Sequence, residues 1–256
     1  MDLAGQWEHW RERLARKHKV RLFAAYLQSF SNTHGPVEKL AAVLAEIAEL
    51  PGLAALCLGT RPDCLDGGKL ALIADFPARE TWLDLGLQSA SDATLRRINR
   101  GHTAADFARA ARAASRRGLL VCAHVMAGLP GEGREAFLAT VRFVAALAES
   151  EGAVAGIKLH NLYVARDTPL SRDWEQGAYA PLALADYAAW AAEALALIPP
   201  DLVVHRIHAD PAPGELLAPD WAADGGAVRR AVLSALDAVP SERAPDEERQ
   251  QPSKKK

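Results

Sequence analysis

Three short runs in the middle of the chain, Thr81–Ser89, Leu119–Met126 and Val154–Val164, alternate apolar and polar side chains with the same phase. Neighbouring residues of a strand point to opposite faces, so Leu83, Leu85 and Leu87 share one face while Asp84, Gly86 and Gln88 share the other. Val121, Ala123 and Val125 likewise oppose Cys122, His124 and Met126, and Ile157 and Leu159 oppose Lys158 and His160. A doubly wound sheet with helices on both faces calls for apolar residues on both. One greasy and one ionisable face instead fit a barrel, open or closed, with helices outside and a site in its lumen near the C-terminal strand ends. Any one of these groups, His124 for instance, is ordinarily a hydrogen-bonded core residue. Their recurrence on successive strands is harder to dismiss, because each unpaired buried polar group costs about 1–3 kcal/mol.

Further short apolar runs at Val20–Phe30, Leu53–Gly59 and Leu202–Ile207 complete a set of six predicted strands. Helical spacing separates them: Asp2–His18, Pro36–Leu50 with proline in its first turn, Ala104–Arg117 ending at Gly118, Glu132–Ser150 and Leu182–Ile198. Strands alternating with helices imply a parallel α/β sheet joined by right-handed crossovers. The barrel is expected over residues 1–209, an Ala-rich flanking extension over 210–239, and a disordered tail over 240–256, where apolar residues almost vanish.

With 256 residues, half of them apolar, the chain can bury a large core. Thirty basic against 32 acidic residues, a formal charge of −2, leave no overall basic field and no strong nucleic-acid signal. Three cysteines, Cys57, Cys64 and Cys122, suit a reducing compartment better than a disulfide framework. The first twenty residues carry charges throughout, and no run is long enough for a membrane span, so a cytoplasmic protein with no membrane partner is expected.

The loops after the strands carry a second signal. Gly86-Leu87-Gln88-Ser89 leads into a short helix that Ser91 or Asp92 can cap. Gly128-Leu129-Pro130-Gly131-Glu132 leaves the next strand with glycines that let backbone approach a ligand ahead of a helix N-terminus. GLQS, then INRGH at 98–102, then a helix ending in RRG, then a strand ending in GLPGE, resembles the coproporphyrinogen-oxidase-like and elongator-type radical S-adenosylmethionine (SAM) proteins. CLGTRPDC at 57–64, GIKLH at 156–160, HRIHAD at 205–210 and LLAPDW at 216–221 are similar to the YhcC-like radical SAM family, from about Val20 to Trp221.

The resemblance implies a partial (β/α)6 barrel that binds SAM across its C-terminal strand ends. Gln88, through its amide, and Arg100, through the methionyl carboxylate, are then cofactor contacts. Ser89 closes the same motif, and His124 stands where some relatives have a polar cofactor ligand. Thr60 and Arg61 end the preceding strand and face the same cleft. Asp84 stands where relatives often have glutamate, and Gly128 lets the chain pass the adenine. Lys158 and His160, one strand further, face an unknown substrate or form a lumen ion pair with Asp84; both readings stay open. An intact member would cleave SAM reductively to a 5′-deoxyadenosyl radical.

That chemistry needs a [4Fe-4S] cluster on three cysteine thiolates, which such families place on the loop after the first strand. Val20–Phe30 matches the family's second strand, so the first strand and its cluster loop are expected to be missing here. Cys57, Cys64 and Cys122 lie on different elements and are poor substitutes; Cys122 reads as a small buried hydrophobe. A late start site, a true truncation, or a non-catalytic protein that binds SAM or a partner are the readings this leaves. A different class also stays open, a metal-dependent hydrolase using His124, His160 and His205 or His208 with Asp84. Against it, there is no tight ligand pair, and GLQS and GLPGE would go unexplained.

Overall fold

A computed structural model describes residues 2–28 and 31–239. The expected tail at 240–256 lies outside the described residues. Helix α1 (Leu3–His18) is capped by Asp2, whose side chain accepts from the Gly5 amide at 2.8 Å, and Arg16, Lys17 and His18 fill its last turn. None of its residues is buried. It is moored by Trp7, which packs edge-on against Phe23 at 6.0 Å and donates to the Pro51 carbonyl at 3.1 Å.

Six parallel strands then form a curled half-barrel: β1 (Phe23–Leu27), β2 (Leu53–Thr60), β3 (Glu80–Gln88), β4 (Leu120–Ala127), β5 (Gly156–Asn161) and, later in the chain, β7 (Val203–Arg206). Their order, β1-β2-β3-β4-β5-β7, follows the sequence, as a barrel wall built from right-handed crossovers must. All six expected strands are present. The crossovers are α2 (Val37–Ala48), α3 (Gly67–Ala74), α4 (Asp92–Arg97) with α5 (Ala104–Ser115), and α6 (Arg134–Glu151). Ser91 caps α4, accepting from the Thr94 amide, and Thr103 with Asp106 forms a full capping box on α5.

The run Val154–Val164, expected as one strand, is two. After β5 the chain leaves the sheet at Leu162 and Tyr163, and β6 (Val164–Ala165) pairs antiparallel with β8 (Leu216–Ala218). Helices α7 (Pro169–Glu175) and α8 (Leu184–Leu197) lie between β6 and β7, and α9 (Gly225–Asp237) follows β8. Residues 210–239 are thus woven into the fold: Val228 and Val232 of α9 are fully buried in the same core as the barrel helices.

The strand phase is realised as expected. Leu83, Leu85, Leu87, Val121, Ala123, Val125, Ile157 and Leu159 are at most 1% exposed and pack under the helices. At about 1.5–3 kcal/mol per large buried side chain, this face fixes the register, because a slip of one residue would turn every one of them into the lumen. The opposite face therefore comes into line by default. Gly59, Asp84, Cys122 and Gly156 lie in register on β2 to β5, and one rung higher so do Gly86, His124, Lys158 and Arg206 on β3, β4, β5 and β7.

Candidate cofactor site

Above these two rungs lies a cavity of about 810 Å³, open at the C-terminal strand ends. Its floor is a network around Asp84, which is 3% exposed. The Lys158 ammonium donates to one Asp84 carboxylate oxygen and, at 3.3 Å, to the Tyr26 hydroxyl, while standing 4.9 Å over the Tyr26 ring. His124 brings Nε2 to 3.5 Å from the other Asp84 oxygen and stacks on His160 with ring centroids 5.1 Å apart. Burial alone would raise the Asp84 carboxyl, but His124, Lys158 and Tyr26 together outweigh it and hold the group below the usual carboxylate range. Burial, then the neighbouring His124, Arg206 and Lys158, pushes His160 down to about 3, so its imidazole is neutral at physiological pH. Lys158 thus forms the ion pair with Asp84 and also lines the cavity.

One wall is cationic. Arg100 donates to the Gly86 carbonyl at 3.3 Å, and its buried Nε has no partner among the described residues. Gln88 ends β3 in the left-handed region (φ 71°), where the ladder slips by one residue, and this turns its amide back over Gly86. A Cβ on Gly86 would come within 2.6 Å of Arg100 Nη2 and 2.7 Å of Gln88 Nε2, so glycine is what lets both side chains converge. Arg61 lines the same wall and is paired with Asp63. Thr60 also lines the cavity, but its hydroxyl is taken by Thr33 at 2.5 Å and Ser31 at 3.1 Å.

Thr60, Arg61, Asp84, Gln88, Arg100, His124, Lys158 and His160 are thus brought around one cavity. Two expected contacts stand elsewhere. Ser89 is fully buried; its hydroxyl donates to Glu132 and accepts from the Ser91 amide at 2.9 Å, so it ties the GLQS turn to the GLPGE loop. Gly128 is roofed by Leu182 and Tyr179, with the Tyr179 hydroxyl donating to its carbonyl at 2.9 Å. Gly128→Ala, at φ +85° and with Leu182 only 3.2 Å from the new Cβ, is expected to cost about 1–3 kcal/mol. Ligand affinity of the cavity should stay unchanged, which thermal melts beside a binding titration will check.

Tyr26 and Arg206 also line the cavity and were not singled out by the sequence reading. Tyr26 lies on the lumen parity of β1, so the alternation argument applied to that strand would have found it. Arg206 was hidden by an irregularity: Ile157 and Lys158 pair with Val204 and Arg206, leaving His205 as an extra residue that inverts the parity of β7.

Asp84, Cys122 and His124 have ligand atoms within 4.8 Å of one another, but Lys158 already occupies the Asp84 carboxylate. The three thiols do not converge. Cys57 and Cys122 face the lumen from different strands, with burial pushing Cys57 up to about 11 and Cys122 higher still, and Cys64 sits 3.8 Å from His34 Nδ1 after β2. These cysteines do not fit a [4Fe-4S] cluster, which needs three thiolates on one cluster face. No helix among the described residues is long and apolar enough to cross a membrane.

A parallel half-barrel with a polar lumen opening at its C-terminal strand ends belongs to the class of partial β/α barrels, which carry their sites at that end. Residues 11–144 match the Radical SAM superfamily and residues 154–237 the Radical_SAM C-terminal domain, and the chain belongs to the radical SAM superfamily. It is 38% identical over 206 residues to Protein YhcC of Escherichia coli (strain K12), covering 80% of this chain and 65% of that protein. Identity to YtqA of Bacillus subtilis (strain 168) is 32% over 237 residues, 92% of this chain and 72% of that protein. The chain therefore spans about two thirds of the length of these relatives. Among solved structures, the archaeal Methanocaldococcus infernus Elp3 with an N-terminal deletion superposes with a TM-score of 0.75 over 90% of this chain and 58% of that one. At 19% identity this likeness concerns the fold.

Proposed function

We propose that the cavity above Asp84 binds SAM for radical chemistry on a substrate still to be identified. The observation that carries the reading is the convergence of Arg100 and Gln88 over the missing side chain of Gly86, in a chain of the radical SAM superfamily. Bound SAM supplies, in that superfamily, a source of the 5′-deoxyadenosyl radical. Arg100 would hold the methionyl carboxylate by a charge-assisted hydrogen bond from its guanidinium. Gln88 offers its amide to the polar edge of the ligand, and the Asp84–Lys158–His124 floor gives it a rigid, preorganised base. About 810 Å³ is ample for a molecule of that size. The reading concerns binding of the cofactor, since the cysteines form no cluster site among the described residues.

Titration calorimetry with SAM tests this. Wild type should bind it, and Arg100→Met should weaken binding about tenfold, with Arg61 nearby keeping the loss from being larger. An unchanged affinity in Arg100→Met, or no binding by the wild type, would sink the assignment. A non-catalytic SAM-binding role predicts the same titration and differs only in the absence of turnover.

A further inference from the structure

The charge of the main cavity does not balance against its proposed cofactor. Lys39, Arg61, Arg100, Lys158 and Arg206 line it against the single carboxylate of Asp84. SAM brings one carboxylate together with an ammonium and a sulfonium, so it adds positive charge and leaves the cationic surplus in place. Arg61 and Lys158 have carboxylate partners of their own. Arg206 does not in any strong sense: its guanidinium makes no hydrogen bond among the described residues, and its nearest acid is Asp210 at 3.8 Å, a largely exposed side chain. Next to it the neutral His160 leaves Nε2 buried and without a partner among the described residues.

Arg206 and His160 are also shared with a second cavity of about 400 Å³. Its walls come from the segment around the β6–β8 pair and the start of α7, with Met126, Leu162, Tyr163 and Leu170 giving it an apolar surface. Two carboxylates also line it and both are engaged, Asp210 by His208 Nε2 at 3.0 Å and Glu215 by the Tyr163 hydroxyl and the Ala212 amide. A largely apolar chamber of metabolite size with a few polar groups at one end is the usual form of a small-molecule site. Here that end, at Arg206 and His160, is shared with the first cavity.

We propose that this second cavity is the substrate subsite and takes a small organic anion. Its compact apolar body lies against Met126, Tyr163 and Leu170, and its carboxylate or phosphate sits on Arg206 at the seam between the two chambers. The proposal rests on reading the first cavity as the SAM site, since it is that placement that makes the seam the point of contact between cofactor and substrate.

Ligand-observed NMR titrations of the full chain with benzoate, phenyl phosphate and the neutral isostere benzamide test it, beside a separate SAM titration. Benzoate or phenyl phosphate should bind saturably with a dissociation constant on the order of millimolar, and the tighter of the two identifies the anion. Benzamide should bind roughly 10- to 100-fold more weakly, and Arg206→Gln should erase that preference. Leu170→Trp, which fills the second cavity alone, should abolish anion binding while SAM affinity stays at the wild-type value. Benzamide binding as tightly as benzoate, anion binding surviving Leu170→Trp, displacement of benzoate by SAM, or no saturable anion binding overturns the subsite. Saturable, Leu170-dependent anion binding by a protein that fails to bind SAM would leave the anion site standing and remove the cofactor assignment instead.

Discussion

Lys158→Met is expected to lower stability at neutral pH by about 3 kcal/mol, the low end for breaking a buried ion pair, because His124 remains to answer the stranded carboxylate. For a chain of this size that is a fall in melting temperature of about 6–12 °C. Asp84 is only 3% exposed, so without the ammonium its charge has neither water nor a full partner. Replacing both members, Asp84→Leu with Lys158→Met, should recover much of the loss, since an apolar pair of similar volume strands no charge. The pH dependence gives an independent check. The Asp84 carboxyl is held below its unfolded value, so its contribution is present above about pH 4 and is lost as pH falls through the folded value. In Lys158→Met the ammonium's share of that depression is removed, while His124 and Tyr26 keep theirs. The difference between wild type and variant, read from urea melts across the acid range, should therefore shrink as pH drops. A constant difference from neutral to acid pH would mean that the pair is not what stabilises the floor.

What the sequence could reveal here was set by period. The two-residue repeat of β3, β4 and β5 is local and survives any uncertainty about strand ends, so the lumen set Asp84, Gln88, His124, Lys158 and His160 was legible before any coordinates. The failures are all long-range or irregular. Ser89 and Gly128 sit inside the right motifs, yet Glu132, 43 residues away, takes the one, and Tyr179, 51 residues away, closes over the other. No local pattern encodes either partner. The split of Val154–Val164 follows from β6 finding β8 some fifty residues on, and Arg206 enters the lumen only because His205 is an extra residue in its ladder. Helix α3 opens on Gly67-Gly68, whose poor helix propensity masks a turn that Asp66 caps through the Lys69 amide at 2.9 Å. The two cavities follow the same division: the lining residues Gln88 and Arg100 of the first stand in motifs and strand phase, whereas the second exists only where the segment around β6, β8 and α7 meets the barrel.

Gly86→Val should separate the fold from the site. A Cβ at this position meets Arg100 Nη2 at 2.6 Å and Gln88 Nε2 at 2.7 Å. Both are the ends of flexible side chains, and Gly86 does not have a positive φ, so the strand itself accommodates a β-branched residue. The barrel should therefore fold, with a melting temperature within about 2 °C of wild type. Arg100 loses its 3.3 Å bond to the Gly86 carbonyl and swings out, Gln88 is pushed off the wall, and the new methyls stand where the ligand's polar end belongs. SAM affinity should fall about 100-fold, more than in Arg100→Met, because two contacts and the approach itself are lost together. Calorimetry beside a thermal melt reads both quantities. A variant that melts like wild type and still binds SAM at full strength would place the cofactor away from Gly86, and the convergence of Arg100 and Gln88 would then be a feature of packing alone.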